Sequence, residues 1–474
     1  MAGLFHSLNI GSESLYANRQ GIDTTAHNIA NAQTEGYSRQ RVKLSQRDPM
    51  EKSGLLIGNG VYVGSIERFH NKFIERQVNI ANNDVGDSEA RMDSLTRLGE
   101  IYSPELNNSL ANELNNFFAS WQNLSKYPEE LTVRTQVKEQ GENISDAFRR
   151  IDSEVRSQRQ GINEYVKMTA EEATETVSTI AHLNDQIRQT EVGVRNPSND
   201  LRDQRDRLVR KLSNLIDINY YEDADGMVTI HGPGGAQLVD RGRAASIEVR
   251  QNGNNQGLFD LIVVDSEDSS QRNITDSIVG GRLKGLLNIR DVVCSSLLDS
   301  NNEMAIKFVD LVNGNHRKGF GLEQFSKTNG RNFFDSISDP TFAAQNIKLS
   351  LDVLNSTDAI SASSLQSSPG DNVIANNIAR IQSAKVFKDS DATLNEFYAD
   401  YVGVLGMETV RVKQVKESDQ IIMSDLQARR EAVAGVSLDE EATNLIRWQT
   451  AFTASSKVVT TVDEMLQTVL NLKR

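Results

Sequence analysis

Large apolar residues recur with one period at the two ends of this chain. Near the C-terminus they follow alternating steps of three and four residues, with one small residue among them: Leu445, Trp448, Phe452, Ser455, Val459, Val462, Leu466 and Val469. Near the N-terminus the same alternation includes three small or polar residues: Leu4, Leu8, Gly11, Leu15, Asn18, Ile22, Thr25 and Ile29. This spacing predicts a helix at each end, with a narrow apolar seam that packs on another helix.

The shared period predicts that the two terminal helices pack on each other in a layer resembling a coiled coil. Periodicity alone also allows two ordinary amphipathic helices that pack separately on a globular body. The seams hold roughly a dozen large apolar side chains, worth about 1.5–3 kcal/mol each when fully buried. Ordering roughly sixty residues costs about 1–2 kcal/mol per residue. An isolated helix pair is therefore marginal, and further copies of the chain are expected to cover it.

The middle of the chain predicts a helical body. No proline interrupts residues 131–194, and apolar residues keep a near-heptad pace there, so one helix on the order of 90 Å long is predicted. The charged run at 199–208 is interpreted as a solvent-facing helix surface, with ion pairs four residues apart such as Asp203 with Arg207.

Short apolar runs alternate with turn sequences between 216 and 275, which predicts a small β-rich insertion. A second β-like segment is predicted at 320–369, because apolar residues alternate with polar ones late in that segment. Two further strands are predicted near the N-terminus, at 41–44 and 61–63, on either side of turn sequences.

These elements predict an α+β fold that is mainly α, with a long helical bundle or coiled coil built from both termini and an inserted small β-rich domain. Three nested domains are expected, each built from separate segments: a terminal coiled-coil domain at 1–60 and 430–474, a helical body at 61–215, 276–319 and 370–429, and an inserted β-rich domain at 216–275 and 320–369.

Charge and composition exclude several classes of partner. The net charge of −14 argues against nucleic acid and against anionic membrane surfaces, because both attract clustered lysine and arginine. No apolar run approaches the ~18 residues of a membrane span, so no membrane insertion is predicted. The N-terminus lacks a basic start followed by an apolar core, so no general secretory signal is predicted.

No motif in the sequence predicts an enzyme. The six histidines show no metal-ligand spacing. The turn that starts at Asp223 resembles half of a calcium loop, but its twelfth position is Gly234 where a glutamate is required. The run 232–235 lacks the Lys-Ser/Thr ending of a phosphate loop. No catalytic, cofactor-binding or metal-binding residue and no cofactor are therefore predicted.

Three segments resemble the axial proteins of the bacterial flagellum, the family that builds its rod, hook and hook–filament junction. The segment after the first helix is similar to the family's sequence at that place, with His27 where the family usually has asparagine: His27-Asn28-Ile29-Ala30-Asn31-Ala32-Gln33-Thr34-Glu35-Gly36-Tyr37-Ser38-Arg39-Gln40. Segments 434–446 and 457–465 are similar to the start and the middle of the family's last helix. Within the family, the run at 199–208, Gly435-Val436 and the form of 36–40 favour a junction subunit.

The resemblance implies a structural protein of the bacterial flagellum, exported through the flagellar secretion apparatus, and no enzyme. The implied partners are further copies of the chain in a helical ring, the hook protein, a second junction protein (hook-associated protein 3) and a cytoplasmic export chaperone. Two alternatives are a hook or rod protein of the same family, and an exported surface adhesin or hydrolase.

The assembly interface is expected to use the two terminal seams. Ten residues are predicted to form it: Leu4, Leu8, Leu15, Ile22, Ile29, Trp448, Phe452, Val459, Val462 and Leu466.

Overall fold

A computed structural model describes residues 2–52, 55–103, 109–192, 197–223, 225–387 and 391–471. The α-helices are α1 (Ala2–Ala30), α2 (Lys72–Ile101), α3 (Leu110–Lys126), α4 (Leu131–Glu191), α5 (Asn199–Leu215), α6 (Gly281–Asn288), α7 (Cys294–His316), α8 (Ala343–Asn346), α9 (Leu351–Asn355), α10 (Val373–Ala379), α11 (Leu394–Ala434) and α12 (Leu438–Asn471). The β-strands are β1 (Gln40–Gln46), β2 (Met50–Lys52), β3 (Leu55–Ile57), β4 (Val61–Arg68), β5 (Asn219–Glu222), β6 (Val228–His231), β7 (Gln237–Asp240), β8 (Arg243–Ala244), β9 (Ser246–Asn252), β10 (Leu258–Val264) and β11 (Gln271–Asn273).

The predicted α+β fold, mainly α and with a helix from each terminus in one pair, is confirmed. Each terminal heptad stretch forms one continuous helix, α1 or α12, and the two pack on each other. The long helix predicted in the middle is α4, whose 61 residues correspond to about 90 Å at 1.5 Å per residue. None of the described helices is long and apolar enough to cross a membrane.

The strands form small antiparallel sheets. Near the N-terminus β1 pairs with β4, with an irregular register between Lys43 and Leu44, and β2 pairs with β3. In the inserted region a four-stranded sheet has the order β5-β6-β7-β8, and a three-stranded sheet has the order β11-β10-β9. The strands expected near 41–44 and 61–63 correspond to β1 and β4, whereas the short strands β2, β3, β5, β8 and β11 were not predicted individually.

Residues 320–369 differ from the expected β-like segment. They contain the short helices α8 and α9, three-residue 3₁₀ turns and isolated bridges such as Phe334 with Leu349. Of the alternating apolar residues, Ile347 and Leu349 are buried and Leu351 is exposed, while Phe333 and Phe334 enter a helical core. Period-two burial therefore does not require a strand when loop residues pack individually against helices.

The chain folds into two compact units, each built from separate segments. The first unit comprises Met1–Asp87, Met168–Leu283 and Glu417–Arg474, and it holds both terminal helices and all the strands named above. The second comprises Ser88–Lys167 and Lys284–Lys416. The three domains expected from the sequence remain a prediction. They were defined as parts that fold independently, whereas the two units are defined by compactness.

The core of the second unit is an aromatic cluster between α3, α4, α7 and the segment before α8. Its rings meet mostly edge to face, with Phe117 within 5.2 Å of Phe308 and Phe333 within 4.9 Å of Phe334 between centroids. Trp121 and Phe148 complete it, and all these side chains are fully buried. Each such ring buries roughly 150–250 Å².

His316, at the end of α7, is buried beside this cluster and is neutral. Its Nε2 accepts a hydrogen bond from the Ser361 backbone N–H at 2.9 Å, and its Nδ1 lies 2.8 Å from the Arg331 carbonyl oxygen, to which it donates. Burial lowers the pKa of His316 from 6.5 to about 4. Protonation would therefore remove the acceptor that holds the Ser361 backbone.

We expect the second unit to lose stability between pH 6.5 and pH 4. The folded-state pKa of His316 lies below its unfolded value, so only the unfolded chain binds the proton in this window. The contribution is complete above the unfolded pKa and disappears as the pH falls to the folded pKa, by roughly 3 kcal/mol in total. Urea unfolding at several pH values would measure it. His316→Asn should reduce the change in unfolding free energy with pH, whereas His182→Asn, at an exposed position, should leave that change as in the wild-type protein. Equal slopes of unfolding free energy against pH for all three proteins would contradict the expectation.

Candidate assembly interface

Helix α1 meets α12 through a stripe of small and polar residues. The stripe advances by alternating steps of three and four residues: Gly11, Ser14, Asn18, Gly21, Thr25 and Asn28. All of these except Ser14 are buried. The weak positions of the predicted N-terminal seam, Gly11, Asn18 and Thr25, thus lie in the contact, and its large residues lie beside it.

Two glycines in this stripe allow the helices to approach closely. A Cβ atom at Gly21 would lie 2.3–2.7 Å from three ring carbons of Trp448, and one at Gly11 would lie 2.7 Å from a methyl group of Val459. Because such distances are below van der Waals contact, only glycine fits at either position. The two large side chains of α12 therefore pack directly against the backbone of α1.

A polar layer fixes the register between these glycines. The Ser14 and Ser455 hydroxyl oxygens are 2.8 Å apart, and the Asn18 amide donates to Ser455 Oγ at 3.1 Å. Ser455 is the weak position of the C-terminal seam, so this gap in the apolar pattern has a polar partner. One buried polar pair in a helix seam selects a single register, since any shift leaves its groups without partners.

The helix pair ends at a buried carboxylate, Glu441. It accepts hydrogen bonds from the Asn28 amide at 2.9 Å and from Arg39 Nε at 2.8 Å. The other side of Asn28 accepts from the Tyr37 hydroxyl at 2.7 Å and from the Gln40 backbone N–H at 2.9 Å. Burial first, and then nearby carboxylates, raise the pKa of Tyr37 well above its usual value. The hydroxyl therefore remains a donor, and the loop after α1 is held to the start of α12.

The charged run at 199–208, expected to face solvent, is instead partly buried in α5. Asp203 accepts from the Ser38 backbone N–H at 2.7 Å and from Arg68 at 2.5 Å. The expected pairing of Asp203 with Arg207 is not among the ion pairs of the described residues. Burial raises the pKa of Asp203 more than Arg68 and its hydrogen bonds lower it. Helix α5 thus anchors the loop after α1.

Arg205 is the most deeply buried charge on α5. Its guanidinium donates to the Gly226 carbonyl at 2.6 Å, to Glu222 at 3.1 Å and to the Asn184 amide oxygen at 3.2 Å. Burial raises the pKa of Glu222, but the hydrogen bond from Lys72 and the positive charges of Arg205 and Arg202 outweigh it and lower this pKa to about 2. These contacts join α5, α4 and the hairpin β5–β6. No residue pattern in the sequence distinguishes them from a solvated charge run.

A second buried carboxylate, Glu75 on α2, connects α5 to α11. Arg210 donates to one of its oxygens at 2.8 Å and Arg430 to the other at 2.6 Å. Arg430 also donates to the Gly36 carbonyl at 3.2 Å. The base of the terminal helix pair is therefore held by two ion pairs of the buried Glu75 carboxylate, one with α5 and one with α11.

The ten residues predicted for assembly are only partly covered within one chain. Among the described residues of this set, Val462 alone is buried; Phe452 is 36% exposed and the others are half-buried: Leu4, Leu8, Leu15, Ile22, Ile29, Trp448, Val459 and Leu466. The structure brings both sets into one helix pair. Their use between copies remains a prediction.

The described residues contain no group of three or more His, Cys, Asp or Glu side chains able to hold a metal ion. The turn at Asp223, which resembled half of a calcium loop, satisfies its own carboxylate: Asp223 Oδ1 accepts from the backbone N–H groups of Asp225 and Met227, both at 3.0 Å. This carboxylate therefore acts as a turn acceptor.

The fold and this interface define a class of protein. Residues 432–472, which include α12, match the family described as flagellar basal body rod FlgEFG protein C-terminal. This segment is therefore similar to structural proteins of the flagellar rod. Residues 95–334, just over half of the chain, match the family described as flagellar hook-associated protein FlgK helical domain. The chain belongs to this FlgK family of flagellar hook-associated proteins.

Full-length relatives agree with this family. The flagellar hook-associated protein 1 of Bacillus subtilis (strain 168) is 28% identical, with 99% of both chains covered. The proteins of the same name from Salmonella typhimurium and Escherichia coli (strain K12) are 24% and 22% identical, each with 98% of this chain and 99% of the relative covered. The flagellar hook junction protein FlgK from Burkholderia pseudomallei has the same fold, with a TM-score of 0.68 at 14% identity over 76% of this chain and 100% of that chain.

Proposed function

We propose that this chain is a structural subunit of the junction between the flagellar hook and filament, assembled through α1 and α12. The observation that carries the proposal is the α1–α12 pair, whose large apolar residues are only half covered within one chain. Its relatives are hook-associated proteins over their whole length. A terminal helix pair that needs more apolar cover is suited to assembly with further copies.

The proposed partners follow from the same position in the flagellum. They are further copies of the chain in a helical ring, the hook protein on one side and a second junction protein, hook-associated protein 3, on the other, with a cytoplasmic chaperone before export through the flagellar apparatus. The three nested domains are proposed as the folding units of this subunit, with the terminal domain in the assembly layer.

The role is mechanical, and we propose no enzymatic activity. A cleft of about 660 Å³ in the first unit lies between the loops at 31–37 and 431–437. Its arginines are already paired, for example Arg39 with Glu441 and Arg210 with Glu75. Paired groups fix loops in place and are not free to bind or activate a substrate.

A hook or rod protein is the second candidate, because the match at 432–472 is to a rod family. A deletion strain distinguishes the two. Complete hooks with filament subunits released into the medium would support the junction subunit, whereas loss of the hook would overturn it in favour of the rival.

Phe452→Asp is expected to abolish incorporation into flagella while the second unit remains folded. Phe452 is 36% exposed on the seam side of α12, and burying a carboxylate there between copies is unfavourable. Immunolabelling of purified flagella and circular dichroism of the purified protein would measure the two effects. The matched control is Thr453→Asp, at the next, exposed position. Normal filaments in the Phe452→Asp strain would refute the proposed interface.

A further inference from the structure

Helix α1 presents three faces: two contact other elements of its own chain, and the third is only half-buried within it. The small-residue stripe contacts α12. The opposite flank meets the strands, where Glu13 pairs with Arg47 at 2.7 Å and Ile10 lies beside Gly60. The third face is the large apolar stripe, with Phe5 at 56% and Tyr16 at 57% exposure next to it. Its members are Leu4, Leu8, Leu15, Ile22 and Ile29.

Helix α12 also has a face that is largely exposed within its own chain. We call it the outer face of α12, and it advances in the heptad steps of a packing surface: Ala451, Ala454, Val458, Thr461, Met465 and Thr468. Val458 and Met465 are about half exposed. At about 100° per residue, this face lies roughly a quarter-turn from the side of Trp448 and Val459 that contacts α1.

We propose that the large apolar stripe of α1 in one copy packs against the outer face of α12 in the next copy. This inference rests on the proposed function and specifies its interface. Within one chain, large residues of α12 already pack on small residues of α1. Between chains the large residues come from α1 instead, and they pack on the smaller residues of the outer face of α12. Both faces keep the same heptad period, so they match along their length.

Charge favours a second copy over a charged partner. The chain carries a net charge of −14, so two copies repel each other over most of their surfaces. The two faces are exceptions: Lys457 is the single ionisable residue between Arg447 and Asp463. On α1 the open side carries Arg19 and Asp23, which pair with each other at 3.8 Å. A lipid headgroup or nucleic acid would find no cluster of cations among the described residues of these two faces.

The two faces lie on different helices, which determines the geometry of the assembly. A contact between unlike faces is heterologous, so each copy leaves one face of each kind open for the next. Such contacts propagate into a ring or a helix. An isologous contact, in which α1 meets α1, would stop at a dimer.

Cysteine cross-linking in assembled flagella tests this pairing. The natural Cys294 is fully buried, and burial raises its pKa to about 12, so introduced cysteines react selectively. A deletion strain would produce two variants together, Leu15→Cys and Met465→Cys, each on its own chain. Because each chain has one introduced thiol, a covalent dimer between unlike variants must join two copies. A second pair, Ile22→Cys with Val458→Cys, samples the same contact at another register.

Treatment of purified hook–filament structures with a short bismaleimide should give the dimer of unlike variants. Its yield should exceed by about tenfold that from Leu15→Cys with Thr453→Cys, since Thr453 is exposed on another side of α12 and only proximity raises the effective concentration of the thiols. Flagella that contain the variants but give no unlike dimers for either pair, or mainly Leu15-to-Leu15 dimers, would overturn the inference and leave the junction role intact. Absence of the wild-type chain from such structures would overturn the junction role itself.

Discussion

Replacing Arg205 by alanine is expected to lower the free energy of unfolding of the first unit by about 3–5 kcal/mol. The side chain is 1% exposed and donates to Gly226, Glu222 and Asn184. Its removal takes one of three cations from the half-buried Glu222 carboxylate, which keeps Lys72 and Arg202, and leaves a carbonyl and an amide oxygen without that donor. Removing one partner of a buried ion pair costs more than the pair contributes, because the remaining charge stays desolvated.

The control for this prediction lies two residues along the same helix. Arg207 is exposed, so Arg207→Ala should change stability by no more than about 0.5 kcal/mol. Urea unfolding followed by circular dichroism would compare the two variants with the wild-type protein. Equal losses from Arg205→Ala and Arg207→Ala would mean that the buried network does not hold this unit together.

Replacing Gly21 by alanine is expected to weaken the α1–α12 pair by about 1–3 kcal/mol. The new methyl group would lie within 2.7 Å of the Trp448 ring, so the helices must separate or the indole must leave its rotamer. The direction of this stability change is informative, because replacing glycine by alanine inside a helix normally stabilises the helix by about 1 kcal/mol. Thermal unfolding of the full chain and protease sensitivity of α1 would measure the effect.

Gly161 in α4 supplies the matched control for the Gly21 substitution. A Cβ atom there meets nothing within 4 Å, so Gly161→Ala should stabilise. Adding Trp448→Ala to Gly21→Ala should remove most of the clash, so the double variant should lose less than the sum of the single losses. Stabilisation by Gly21→Ala would mean that α1 and α12 are not in close contact.

These predictions concern two features that together position the terminal helix pair. The glycines of the small-residue stripe set how closely α1 and α12 approach. The buried charges of α5 hold the loop between α1 and β1 at the base of the pair. Ser38, bonded to Asp203, and Arg39, bonded to Glu441, are neighbours in that loop. The loop therefore couples the helix pair to the remainder of the first unit.

Local sequence pattern was enough to identify the long helices and to indicate that the two ends belong together. A heptad period is a property of one helix surface, and proline positions mark where long helices are allowed, so α1, α4 and α12 could be predicted. The glycine and serine interruptions of the seams looked like weak positions, although Gly11 and Ser455 lie in the contact. Close approach depends on the space between two helices, and that space has no signature in either segment alone.

Three features became visible only in the folded chain: the face of α1 that meets α12, the identity of the buried charges and the course of residues 320–369. Asp203 and Arg205 belong to a charge run whose local pattern is the same whether it faces water or a protein core. The outcome depends on partners such as Ser38 and Glu222, which are distant from α5 in the sequence or lie on other elements. Period and composition are local properties, whereas burial depends on the partners that folding brings to each residue.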